Sequence, residues 1–228
     1  MQYRWLLVSL LCAGSTVPVA GQQPLDERVL PREVAEFFWG AGIRLFEGYE
    51  AVVAPSGSCV AMVRVFYNQL KLEPSFRERL DILRGRIWEF TEFLVDVLKA
   101  ENVGGIFPHR VTYHDSCHLS RELGVREQPR RLIRSLKEVD FVEMERPDLC
   151  CGFGGTFSYK FKELSVAMVR RKCEQIEATG AEFCVGADSS CLMNIEGYLR
   201  KHGMKARTLH IADLLAESLG LSVREESR

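Results

Sequence analysis

Four short β-rich runs, each followed by a loop and then a helical pattern, restrict the fold of this chain more than any other feature. They are "RVTYH" (110–114) before "DSCHLSRELG", "VDFVEME" (139–145) before "RPDLCCGFGG", "AEFCVGA" (181–187) before "DSSCLMNIEGYL", and "KARTLH" (205–210) before "IADLLAESL". Between the second and third lies "SYKFKELSVAMVRRKCEQIEATG", with helical spacing and Gly180 as a stop signal. Strands that alternate with helices cannot pair as hairpins. They build a mostly parallel sheet whose faces are covered by the connecting helices, so the expected class is α/β.

In open parallel sheets, chemistry collects outside the carboxyl ends of the strands. Cys117, the adjacent pair Cys150 and Cys151, and Cys191 each fall a few residues beyond a strand end and near a helix start. Three separate loops are thus expected to deliver four thiols to one sheet edge. The partial positive charge of helix N-termini favours the thiolate form that metals bind. The spacing C-x32-CC-x39-C does not fit a zinc knuckle, whose thiols come in close pairs. It suits a larger centre with several irons, where neighbouring thiolates reach different metals. Gly152, Gly154 and Gly155 in "CCGFGG" would then let the backbone approach inorganic sulfide and leave amides free to donate to sulfur. Their spacing is not a dinucleotide fingerprint, and no P-loop, G-x-S-x-G or H-E-x-x-H occurs.

The N-terminal half echoes this pattern. "VVAPSGSCVAMVRVFYNQL" (52–70) aligns with "CVGADSSCLMNIEGYLRKH" (184–202), with Cys59 over Cys191 at an offset of 132 residues. The same offset places Pro18 and Val19 opposite Cys150 and Cys151, so the first copy lacks the cysteine pair. Two related lobes are expected, the N-terminal one incomplete, joined by one long amphipathic helical region over 76–105. The division is 1–40 as an atypical N-terminal segment, 41–105 as a partial first lobe with its bridge, and 106–228 as the cysteine-rich domain. Residues 1–23 carry signal-peptide grammar, a basic residue, a short apolar run and a small-residue exit, but the run is too short to span a bilayer. Eight cysteines in 228 residues are too dilute for a disulfide scaffold, and their clustering favours a cytoplasmic metal or redox protein over an exported one. Thirty basic against 31 acidic residues offer no groove for nucleic acid and no polybasic membrane patch.

"YHDSCHLSRELG", "CCGFGGTFS" and "GADSSCLMNI", with "APSGSC" upstream, resemble the CCG-domain family of iron–sulfur oxidoreductase subunits over residues 45–220. The resemblance is to its lactate-utilisation branch, related to the glycolate oxidase iron–sulfur subunit and to the heterodisulfide reductases. It implies an iron–sulfur cluster, of the 4Fe-4S type, and electron transfer during oxidation of L-lactate to pyruvate with lactate-utilisation proteins of B and C type. Two departures stand out. The usual last C-x-x-C reads "DSSC", with Asp188 in place of the first cysteine, and a carboxylate can ligate iron. The family's first "CCGQP"-like motif survives only as a hint in "VAGQQPLDE" (19–27), which points to a truncated or shifted start and an accidental signal-like segment.

Other residues are read more plainly. Cys59 matches the motif without partners and is expected to be a free thiol. Cys173 and Cys184 read as small core residues, and Cys12 carries no argument. His114 and His118 flank Cys117; donation to sulfide or a carbonyl is preferred for both over metal ligation. His210 reads as a capping or packing histidine, and Asp188 as the N-cap of the helix carrying Cys191 or a metal ligand. Two other chemistries stay open: thiol–disulfide reduction, and zinc held purely for structure.

Overall fold

The computed structural model describes residues 6–7, 43–70, 72–100 and 102–221. Expectations for most of residues 1–40, including Cys12, Pro18, Val19 and "VAGQQPLDE", fall outside these. The described residues form two all-parallel sheets. In the first, β2 (Val52–Ala54) lies between β1 (Leu6–Leu7) and β3 (Ile87–Glu89). Helix α1 (Gly57–Arg64) follows β2, and α2 (Pro74–Arg84) precedes β3.

The second sheet has the order β5 (Asp140–Phe141), β4 (Arg110–His114), β6 (Phe183–Gly186), β7 (Arg207–His210). Its helices are α3 (Glu127–Arg134), α4 (Thr156–Lys160), α5 (Lys162–Ala178), α6 (Ser189–Lys201) and α7 (Ile211–Ser218). All four expected strands are present, the second shortened to two residues. Gly180, at φ +65°, closes the helix as expected.

Strand alternation sorts the second sheet's side chains between two cores. Val111, Tyr113 and Val185 pack with Leu119, Leu132, Ile133 and Leu214 on one face. Cys184 joins Val169, Cys173, Ile176, Ile195 and Leu199 of α5 and α6 on the other. Both Cys173 and Cys184 are fully buried, as expected of core residues. In register at the C-terminal edge stand His114, Gly186 and His210.

The two lobes are related in detail. Helices α1 and α6 begin at positions equivalent under the duplication, and Cys59 and Cys191 are each the third helical residue. They also touch. The Gly57 amide donates to the Ala187 carbonyl at 3.4 Å, and the Ser58 amide to the Asp188 carboxylate at 2.9 Å.

The stretch expected as one long helix over 76–105 is instead broken. Helix α2 ends at Gly85, β3 pairs with β2, and a new turn, Phe90–Glu92, runs into a π-helical turn, Phe93–Val97. The break has a local cause. The Glu89 carboxylate accepts from the amides of Thr91 and Glu92, while Glu92 accepts from the Glu89 amide, a reciprocal cap that restarts the helix directly from the strand end. A three-residue strand is too short to display alternation, so the flanking helical period hid it. Phe93 then packs with Ala51 and Val53, while Val95 enters the core of the second sheet.

Burial pushes the Glu89 carboxyl up to about 7 from 4.5, against the hydrogen bonds from Thr91 and Glu92 that hold it down. The folded state therefore binds a proton that the unfolded chain has already released. Stability should fall by roughly 3 kcal/mol as pH rises from about 4.5 to about 7 and then level off, a slope that urea titrations should find flattened in Glu89→Gln. A methyl at Gly57 would stand 2.7 Å from Leu119 Cβ across the lobe contact. Gly57→Ala should cost about 1–3 kcal/mol, read as a lower urea midpoint at unchanged m.

Candidate metal centre

Three loops at the C-terminal edge of the second sheet supply the site. Strand β4 ends at His114, and Asp115–Ser116 lead to Cys117 at the mouth of a π-helical turn, His118–Glu122. Cys150 and Cys151 lie on the long loop before α4, and Cys191 sits in the first turn of α6. The thiols are coupled in a row, Cys117 with Cys150, Cys150 with Cys151 and Cys151 with Cys191, each shifting its neighbour's acidity. A ring nitrogen of His114 and the sulfurs of Cys151 and Cys191 all lie within 4.8 Å of one another. Cys151, Cys191 and His114 are buried, whereas Cys117 and Cys150 are half-buried, so the group opens to the surface on their side.

The electrostatics follow from this crowding. Donation from the Cys117 and Cys151 thiols, and from the Gly152 amide at 3.4 Å, holds Cys150 far below an ordinary thiol despite burial. Its neighbours move the other way. Cys117 and Cys151 are pushed up, first because each gives its proton to Cys150, then because burial and adjacent sulfur charge oppose a second thiolate. Left to themselves, these thiols can carry little charge together; a cation among them removes the conflict.

Burial, with help from the nearby Lys172 charge, lowers the His114 imidazole to about 3, so the ring is neutral at physiological pH. Among the described residues neither ring nitrogen has a hydrogen-bond partner of good geometry, although the nearby Pro147 carbonyl favours the protonated ring. The Pro147 carbonyl close by already accepts from the Asp115 amide at 3.0 Å and from Lys172 Nζ at 2.9 Å. A buried, neutral, unpartnered imidazole beside soft sulfurs is a donor set suited to a metal or an iron–sulfur group.

The glycines have mixed duties. Gly152 (φ +81°) and Gly154 (φ +54°) take left-handed conformations, and a Cβ would approach Ser165 O to 2.6 Å at the first and Phe157 Cβ to 2.9 Å at the second. Both therefore let the cysteine loop lie against its own following helices. Gly155 (φ +58°) faces open space. His118 meets the edge of Phe66, ring centroids 5.8 Å apart. His210 caps α7, accepting from the Ala212 amide at 3.1 Å, as expected. Cys59 stands in the first turn of α1, its amide donating to Ser56 Oγ.

Asp188 departs from its expected cap role. It occupies the N-cap position of α6 but makes no side-chain bond to that helix's backbone. Its carboxylate accepts instead from Ser190 Oγ and, across the lobes, from the amide of Ser58 in α1, each at 2.9 Å. The reason is tertiary: the N-terminus of α1 brings an uncapped amide within reach.

Several supports were not read from the sequence. Arg130 pairs two-pronged with both Asp115 and Glu143, fixing the residue next to His114. Asn194, one turn past Cys191, donates to the Cys151 carbonyl at 2.8 Å. Lys172 is buried on the inward face of α5; it is the last of three consecutive cations, and its spacing of three from Val169, next to Cys173, was the available signal.

Thiols converging on one edge of a parallel sheet, with a buried imidazole among them, define a cysteine-rich α/β domain. The CCG cysteine-rich domain matches residues 111–196, the span holding all of these groups. Over 173 residues the chain is 44% identical to lactate utilization protein A of Oceanobacillus iheyensis, covering 76% of this chain and 71% of that protein. It is 42% identical over 173 residues to that of Bacillus subtilis (76% and 73%), and 42% over 179 residues to that of an Exiguobacterium species (78% and 73%). The chain belongs to the lactate utilization protein A family.

Asp188→Ala leaves the Ser58 amide without its acceptor. The change should cost about 1–3 kcal/mol, with Asp188→Asn closer to wild type because an amide oxygen still accepts; paired thermal melts measure both.

Proposed function

We propose that the chain is an iron–sulfur electron-transfer subunit of an L-lactate-oxidising system, working in the cytoplasm with partner proteins of lactate-utilisation B and C type to convert lactate to pyruvate. The observation that carries this reading is a buried, neutral His114 with the sulfurs of Cys151 and Cys191 all within 4.8 Å of one another, to which Cys150 and Cys117 are electrostatically coupled. The names of the relatives support the metabolic assignment.

Cys117, Cys150, Cys151 and Cys191 would hold a cluster of the 4Fe-4S type, with His114 as the nearby nitrogen donor and Asp188, if released from Ser58 and Ser190, as a further oxygen donor. Such a group supplies one-electron storage when bound. The protein's own residues do the rest. Gly152 N donates to Cys150 sulfur, Asn194 and Lys172 pin the carbonyls of the cysteine loop, and Arg130 fixes Asp115 behind His114. Half-buried Cys117 and Cys150 mark the side through which electrons would reach a partner. With no dinucleotide fingerprint in the chain, lactate itself is oxidised on a partner.

Iron and acid-labile sulfide quantified in anaerobically purified protein test the proposal. Wild type should contain both, and Cys151→Ser should lose the iron absorbance while retaining its far-ultraviolet circular dichroism. Unchanged iron in that variant would contradict the ligand assignment. Stoichiometric zinc without sulfide would replace the redox reading with a structural metal.

A further inference from the structure

Lys172 is fully buried in the middle of α5. Its Nζ donates to the carbonyls of Arg146 (3.2 Å) and Pro147 (2.9 Å), which lie on the loop running to Cys150. Among the described residues no carboxylate forms an ion pair with it. The contrast with the other buried cation is sharp. Arg130 is compensated by Asp115 and Glu143, and both Asp115 oxygens are committed to that guanidinium.

A buried ammonium left without a counter-charge costs several kcal/mol, so its position calls for negative charge nearby. Burial pushes the Lys172 ammonium below its ordinary value, and the Cys184, Asp115, Asp148 and Cys151 positions act the other way, so a negative centre at the thiols is what would keep it charged. Its own charge is felt at His114, in the midst of the thiols. Hydrogen bonds to two carbonyls position an ammonium but do not neutralise it. The partner that would neutralise it is a thiolate-ligated centre, whose net charge is negative and grows by one unit on reduction.

Resting on the iron–sulfur reading above, we infer that Lys172 is a positioning residue whose fixed charge, held behind the cysteine loop, favours the reduced centre and raises its potential. Reduction adds one electron, and no bond is made or broken at Lys172. The effect follows from the general rule that net charge and hydrogen bonding around a cluster set its potential.

The test compares Lys172→Met, which keeps length and drops charge, Lys172→Gln, which keeps a donor for the loop carbonyls and drops charge, and Lys172→Arg, which keeps charge. Each is purified anaerobically, its iron and sulfide are quantified, and its potential is read by mediated redox titration of the cluster absorbance. The Met and Gln variants should shift the one-electron equilibrium at least tenfold toward the oxidised form, about 59 mV lower, while Arg stays near wild type. Should Met fail to fold, Gln decides alone.

Normal iron with an unmoved potential in Gln would overturn the inference and leave the iron–sulfur reading intact. So would loss of iron with an unmoved potential in the remainder, because Lys172 would then be only a clamp on the loop. Wild type without iron and sulfide strikes the iron–sulfur reading itself, and the Lys172 proposal falls with it before any variant is made.

Discussion

Crowded sulfur is the constraint on which the rest of the site depends. Thiols this closely coupled cannot all ionise, because each new thiolate is opposed by its neighbour and by burial. Only a chain that holds its loops rigidly can keep them so close. The surroundings supply that rigidity: Arg130 locks Asp115, Asn194 holds the Cys151 carbonyl, and Lys172 holds two carbonyls ahead of Cys150. Each uses a charged or amide donor on a backbone or carboxylate oxygen, the class of hydrogen bond that best defines geometry in a dry interior.

Parallel topology makes the convergence possible. In a sheet whose strands all point the same way, every strand-to-helix loop leaves from the same edge. His114 and Gly186 are in register there, so the loops beginning at 115 and 187 start side by side. An antiparallel sheet would have sent alternate loops to opposite edges and separated the same cysteines by the length of a strand. The duplication extends the logic. The first lobe repeats the strand, loop and cysteine-bearing helix, and its helix abuts the second lobe through Gly57, Leu119 and Asp188.

Much of this was legible in the residues. The four strand–helix repeats, the strand-end placement of Cys117, Cys150, Cys151 and Cys191, and the core roles of Cys173 and Cys184 follow from local periodicity and short-range signals. The break in the stretch over 76–105 was not, because a three-residue strand leaves no period to detect and the cap formed by Glu89 and Glu92 also fits a helix interior. His114 and His118 looked alike beside Cys117. One terminates a strand and points into a core, while the other opens a helical turn and meets Phe66 at its edge.

Local signals settled the four strand–helix repeats of the second sheet and the exit of the thiols from strand ends, because those properties depend on neighbours a few positions away. Packing between elements decided that Asp188 serves the other lobe's helix, that His114 rather than His118 lies among the sulfurs, and that Lys172 is buried without an ion pair among the described residues. Each of these depends on groups tens of residues distant in the chain. What a buried polar atom faces is set by packing between elements, which no local pattern encodes.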